Sequence, residues 1–259
     1  MKWLATVAVI ALLSTPNVQA ADPQGGSLSA SPGEVATEPI LVPVAAQGLR
    51  GANGSVWDTD LWVTNTTDSP IVFYFSPCQV SCCCDEFNTF APQQTRLGGG
   101  DSSRGAWFYL PADGSLQMQA RLRDRTRAAS SAGVELPLVR ERDFRTGVVQ
   151  LVGVPQDGRF RVMLRIYALA AGVSARIEQL DANGVVQRED IVALEPPTTS
   201  PYLIGVAPAY AQLPLPVVAP NSEPGRIRIS SLSPGEPIWT FASITNNESG
   251  EVTLVQPWW

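Results

Sequence analysis

Between Leu116 and Arg123 every second residue is apolar. Leu116, Met118, Ala120 and Leu122 alternate with Gln117, Gln119, Arg121 and Arg123. Period-two alternation puts one face of an extended chain in a core and the other in water, the signature of a half-buried antiparallel strand. Arg226-Ile227-Arg228-Ile229 repeats the pattern. Similar short runs recur at Val56–Asn65, Ile71–Ser76, Ala106–Leu110, Gly147–Val152 and Phe160–Leu169. Others follow at Val173–Leu180, Val185–Leu194, Ile238–Thr245 and Val252–Gln256. Asp181-Ala182-Asn183-Gly184 joins two of them, and Asn-Gly is a strong hairpin signal. No stretch carries a convincing amphipathic helix. With 21 Gly and 22 Pro beside 44% hydrophobic residues, the chain reads as globular and rich in turns. The expected class is all-β, with short strands building sandwiches or barrels.

The first twenty residues have the form of a signal peptide. Lys2 gives the basic start, Trp3–Leu13 the apolar run, and Val18-Gln19-Ala20 the small-x-small cleavage pattern. Residues 21–38 are rich in Gly, Pro and Ser and read as a flexible linker. No later run approaches the ~20 apolar residues of a spanning helix, so no transmembrane segment is expected in the mature chain. The protein is thus expected to be exported, either extracellular or periplasmic. Lys2 is the only lysine; without it 17 arginines face 24 acidic residues, a net charge of −7. An acidic balance argues against nucleic acid as a partner, because phosphate binding needs a basic footprint.

An order of features occurs twice. Pro43 precedes Trp57-Asp58-Thr59-Asp60-Leu61-Trp62-Val63, and Pro137 precedes Phe144-Arg145-Thr146-Gly147-Val148-Val149-Gln150. Asp68-Ser69-Pro70 opens one strand and Asp157-Gly158 another. Leu110-Pro111-Ala112-Asp113-Gly114 leads to Met118–Asp124, as Leu232-Ser233-Pro234-Gly235 leads to Thr240–Asn246. Repeated order implies repeated modules. The expected organisation is two tandem antiparallel β-sandwich domains, immunoglobulin-like or jelly-roll-like, at 39–134 and 135–259. The first carries a Cys-rich insertion at 77–100. The Trp57–Asn65 run, the Phe144–Gly147 start and the closing Ile238–Asn247 segment together resemble a group of uncharacterised secreted bacterial proteins with paired β-sandwich modules. Such modules stand alone or are appended to exported enzymes such as peptidases. The resemblance implies an accessory or surface role and carries over no functional residue.

The chain has no histidine. Ser-His-Asp and Cys-His catalysis need an imidazole, as do the usual His-ligated zinc hydrolases. A mature chain without lysine also lacks Schiff-base chemistry and Ser-Lys dyads. Gly98-Gly99-Gly100 has no Lys-Ser/Thr after it and reads as a loop. No catalytic residue, metal site or cofactor is expected.

Carboxylate chemistry survives this filter. Asp58, Asp60 and Trp62 are two apart on a strand and share a face. They form a candidate ligand-contact face, or else a solvated one. Arg121, Arg123, Arg125 and Arg127 form a candidate stripe for an anion or a partner, and Arg159, Arg161 and Arg165 extend a similar one. The plainer reading is an outward face paired with local acids. Cys78, Cys82, Cys83 and Cys84 are disulfide candidates in an exported chain, with Cys78 to one of the other three as the first bridge. A Cys₄ metal site and a redox role are the alternatives. Asn53-Gly54-Ser55, Asn65-Thr66-Thr67 and Asn247-Glu248-Ser249 match the glycosylation sequon and are read as coincidental in a bacterial chain. Trp258-Trp259 end the chain as a core cover or an interaction handle.

The expected function is a secreted, non-catalytic binding or structural module pair, acting in surface attachment, matrix binding or assembly. Its partner would be a cell-surface glycan or another exported protein. The alternatives are a carboxylate-dependent glycan-active enzyme or carbohydrate-binding protein, and a periplasmic assembly or chaperone-like protein.

Overall fold

A computed structural model describes residues 36–51, 54–73, 88–98, 103–127, 132–198, 207–218 and 224–258. The expected signal peptide and most of the expected linker lie outside these residues. The described residues belong to one compact unit.

The first half contains β1 (Thr37–Val42), β2 (Leu49–Arg50), β3 (Val56–Asn65), β4 (Ile71–Phe73) and β5 (Asn88–Phe90). β6 (Thr95–Gly98), β7 (Ala106–Pro111), β8 (Leu116–Asp124), β9 (Val134–Leu136) and β10 (Val139–Arg140) follow. The second half contains β11 (Val148–Val154), β12 (Phe160–Ala168), β13 (Ser174–Leu180) and β14 (Val186–Ala193). It ends with β15 (Ala209–Leu215), β16 (Gly225–Ser231), β17 (Ile238–Asn246) and β18 (Val252–Val255). Among the described residues the only helical pieces are single 3-10 turns, such as Arg125–Arg127. The protein is all-β, with several antiparallel sheets.

β1 lies between β10 and β7, while β2, β3, β8 and β9 form a second sheet with β6 also on β3. In the second half the orders are β11-β16-β13-β14 and β15-β12-β17-β18. β1 starts at Thr37, inside the stretch read as linker, and β9 and β10 pair with β8 and β1. The repeated feature order is not mirrored in the pairing. β3 runs along β8 from Trp57 to Asn65. The segment after Phe144 pairs with β17 at the single Arg145–Ile238 bridge, and β11 then pairs with β16.

The expected hairpin is present between β13 and β14. Asp181 Oδ1 accepts from the amides of Asn183 and Val185, both at 2.9 Å, and Gly184 takes φ +83°, which a Cβ would disfavour.

The sheet of β15, β12, β17 and β18 is buried on both faces in its central strands. One face of β12 and β17 (Val162, Leu164, Ile166, Ile238, Ala242) packs with Leu151, Ile177 and Ile229 of the facing sheet. The opposite face presents Tyr167, Tyr210, Trp239 and Phe241, which belong to the core of the first half with Leu41, Phe108 and Ala120. Tyr167 lies 5.7 Å from Tyr210, 5.8 Å from Trp239 and 6.5 Å from Phe241 between ring centres. Offset and tilted rings at this spacing add to the gain from burial itself. Two-faced burial explains why Leu164–Ala168 is continuously buried where β8 alternates.

Polar groups lock the contact. The Tyr167 hydroxyl donates to the Pro43 carbonyl. Arg165, only 6% exposed, donates from Nη1 to Pro43 O at 3.2 Å and Ser103 O at 2.6 Å. Gly105, beside this latch, takes φ +88°, and a Cβ there would sit 3.0 Å from the Val42 and Pro43 carbonyl oxygens. Arg127 reaches the Ser249 carbonyl, a second link between the halves.

The disulfide expectation is corrected. Among the described residues there is no disulfide, and Cys78, Cys82, Cys83 and Cys84 lie outside them. Ladder hydrogen bonds join the strands within each sheet and core packing joins the sheets, with no cross-link among the described residues of either core.

Burial pushes the Tyr167 phenol up to about 12, with Arg165 opposing the rise, against an ordinary value of 10.0. Its neutral form therefore stabilises the fold fully below pH 10, and that contribution is lost as pH rises through about 12. With no lysine expected in the mature chain, tyrosines dominate titration in this window. Tyr167→Phe should remove the phenol that titrates last by ultraviolet absorbance. It should also flatten the fall of the urea midpoint between pH 10 and 12.

Candidate functional site

Two surfaces gather the polar and aromatic side chains. The first is the outer face of β3 and β8. In their register Asp58 lies opposite Arg123, and Asp60 opposite Arg121. Each arginine nevertheless reaches one pair along. Arg125 Nε lies 3.2 Å from Asp58, Arg123 Nη2 lies 3.0 Å from Asp60, and the Arg121 guanidinium lies 5.8 Å from the Trp62 ring centre. Strand twist brings such diagonal neighbours within reach of long side chains. The acidic face and the arginine stripe are therefore one surface whose charges neutralise each other. Arg127 leaves this ladder and turns to Ser249.

The second surface is a cleft of about 960 Å³ between the halves. Its floor is the part of the β15-β12-β17 face that the first half leaves uncovered. There Met163 pairs across to Pro214 and Ser243, and Arg161 to Thr245. Its wall is the end of the β2-β3-β8 sheet with Leu49, Trp57, Leu122 and Thr126. Trp57 is half-buried, and its Nε1 donates to Ser55 Oγ at 3.0 Å. Phe160 and Tyr210 add two more rings to the lining.

Arg50, Arg127, Arg161 and Arg165 line this cleft, against Asp124 and Glu248. Burial pushes the Asp124 carboxyl up, but hydrogen bonds from Thr126 and the Val56 amide, with Arg127 nearby, outweigh it and hold the group below the usual range. Two guanidinium groups lie near the Tyr210 ring, Arg104 at 5.5 Å and Arg165 at 5.7 Å from its centre. Arg104 is in turn paired with Glu195 at 3.3 Å.

The other displaced carboxyls are all lowered: Asp113 by hydrogen bonds from Ser115, Asp157 by Arg159 and Glu178 by Arg228. Among the described residues no group of three His, Cys, Asp or Glu could hold a metal ion, and no helix is long and apolar enough to cross a membrane. The amide of Asn65, in the Asn65-Thr66-Thr67 sequon, is fully buried and donates to the carbonyls of Ser69, Phe90 and Ala91. Asn65 builds a turn. The backbone of Trp258 donates to Gln150 O at 3.1 Å, while the residue is 78% exposed; Trp259 lies outside the described residues.

Sequence reading named Arg161 and Arg165 but missed Trp57, Phe160 and Arg50 as their neighbours. The available signal was Arg165 itself, an arginine inside the otherwise apolar run Val162–Ala168. Comparison with protein-family models, curated proteins and solved structures gave no match.

A double-mutant cycle with Asp60→Ala and Arg123→Ala should give a coupling of roughly 0.5–1 kcal/mol, because Arg123 stays 40% exposed. The coupling, read from urea unfolding, should shrink as salt is added.

Proposed function

We infer that the protein is an exported, non-catalytic module pair that binds a partner through the cleft between its halves. Its role would be surface attachment, matrix binding or assembly. The cleft carries this reading: an open, aromatic-lined and arginine-rich surface built from both halves. The charge chemistry supports it. A general acid for neutral pH needs a raised carboxyl, and each displaced carboxyl described is lowered. The absence of histidine from the sequence points the same way.

A second reading, an assembly protein that accepts a partner strand, is favoured by β14. Among the described residues β14 pairs only with β13, and Ile191 on it is 62% exposed. Arg188, Glu189 and Asp190 on the same strand counter free edge pairing.

The test applies the mature chain, beginning at Ala21, to a glycan array and to intact cells, with product analysis of any bound glycan. Binding without shortening of the glycan is expected. A blank on both supports overturns the attachment reading, and shortened product transfers the protein to the carboxylate-dependent enzyme class.

A further inference from the structure

Nine arginines of the described chain form ion pairs with carboxylates. In three of them the Nε and Nη2 edge of the guanidinium grips both oxygens of one carboxylate. Arg159 holds Asp157 at 3.0 and 3.0 Å, Arg188 holds Asp190 at 2.6 and 2.9 Å, and Arg228 holds Glu178 at 2.6 and 2.7 Å. This fork-to-fork geometry is the strong form of the interaction.

Arg165 departs from that pattern. It is 94% buried, lines the cleft beside the Tyr210 ring, and uses Nη1 alone for its hydrogen bonds: Pro43 O, Ser103 O and, at 3.5 Å, the Tyr167 hydroxyl. Its Nε and Nη2 edge has no acceptor among the described residues, and neither nitrogen is a sealed, unsatisfied group. Arg50 and Arg161 line the same cleft and also have no carboxylate within 4.0 Å among the described residues. A chain of net charge −6 thus gathers three arginines without a carboxylate ion pair in one concave place, beside aromatic rings and in a lining that also holds Asp124 and Glu248. Ring faces stack on sugar faces, and hydroxyl and amide groups such as Ser243, Thr245 and Gln212 line the same floor.

We propose that this cleft binds an acidic glycan, with the carboxylate of a uronic acid unit gripped by the Nε and Nη2 edge of Arg165. Arg161 and Arg50 bind neighbouring carboxylates, and Trp57 supplies a stacking platform. The proposal deepens the binding-module reading and rests on it. The same guanidinium edge grips a carboxylate three times elsewhere in this chain, which shows the geometry that a uronate would take.

Calorimetry on the mature chain tests it with four probes: a galacturonate oligomer, its methyl ester, a sulfated neutral oligosaccharide and poly-glutamate. The galacturonate oligomer should bind and weaken with added salt, and the methyl ester should bind about tenfold or more weaker. Arg161→Gln, on an exposed side chain, should weaken galacturonate binding while leaving the fold intact. Arg165→Lys keeps the charge but loses the fork, and should weaken it further. Arg165 also latches the halves, so Arg161→Gln and Arg50→Gln decide the matter if Arg165→Lys fails to fold. Equal binding of acid and ester overturns the proposal. So does unchanged affinity in both exposed variants, or tighter binding of the sulfated or poly-glutamate probe. If galacturonate fails while other glycans or cells still bind, the cleft assignment falls and the module reading stands. A blank with all of them removes both.

Discussion

Tyr167 and Arg165 project from β12 into the first half, where the Pro43 carbonyl receives both. This contact makes the sheet of β15, β12, β17 and β18 a shared wall, with an aliphatic core on one side and an aromatic one on the other. A buried guanidinium needs compensation, and here backbone oxygens supply it in place of a carboxylate. The cleft follows from the same arrangement. The wall extends past the end of the first half, so its Arg161 and Met163 end becomes a floor.

Arginine has two opposite fates in this chain. On β3 and β8 it is spent on Asp58 and Asp60 within a diagonal ladder, and the surface is electrically quiet. Around the cleft Arg50, Arg161 and Arg165 have no carboxylate within 4.0 Å among the described residues. The contrast arises from strand neighbours. Asp58 and Asp60 lie one step from arginines across a ladder, whereas Arg165 stands between Gln212 and Phe241 in register.

Much of the architecture was legible. Alternation located β8 and β16, and Asn183-Gly184 located the β13–β14 hairpin. Two-faced burial was harder to read. Ile238-Trp239-Thr240-Phe241-Ala242 does not alternate, and a continuous apolar run gives no clue to what covers each side. Parity puts Asp58, Asp60 and Trp62 on one face of β3, and Arg121 and Arg123 on one face of β8, with Arg125 in the 3-10 turn that follows. It says nothing of register, so the meeting of those two faces was invisible until β3 and β8 were paired. The cleft needs tertiary placement of Trp57 against Arg161, about a hundred residues apart in sequence, and no local pattern encodes that.

The shared wall also bears on inheritance. A gene fragment ending near residue 134 would make a first half missing the four rings that complete its core. The remaining fragment would carry Tyr167, Tyr210, Trp239 and Phe241 bare on its surface, an invitation to self-association. Recombination can therefore pass this chain on only as a couple, and either half transplanted alone would need new aromatic partners before it could remain soluble.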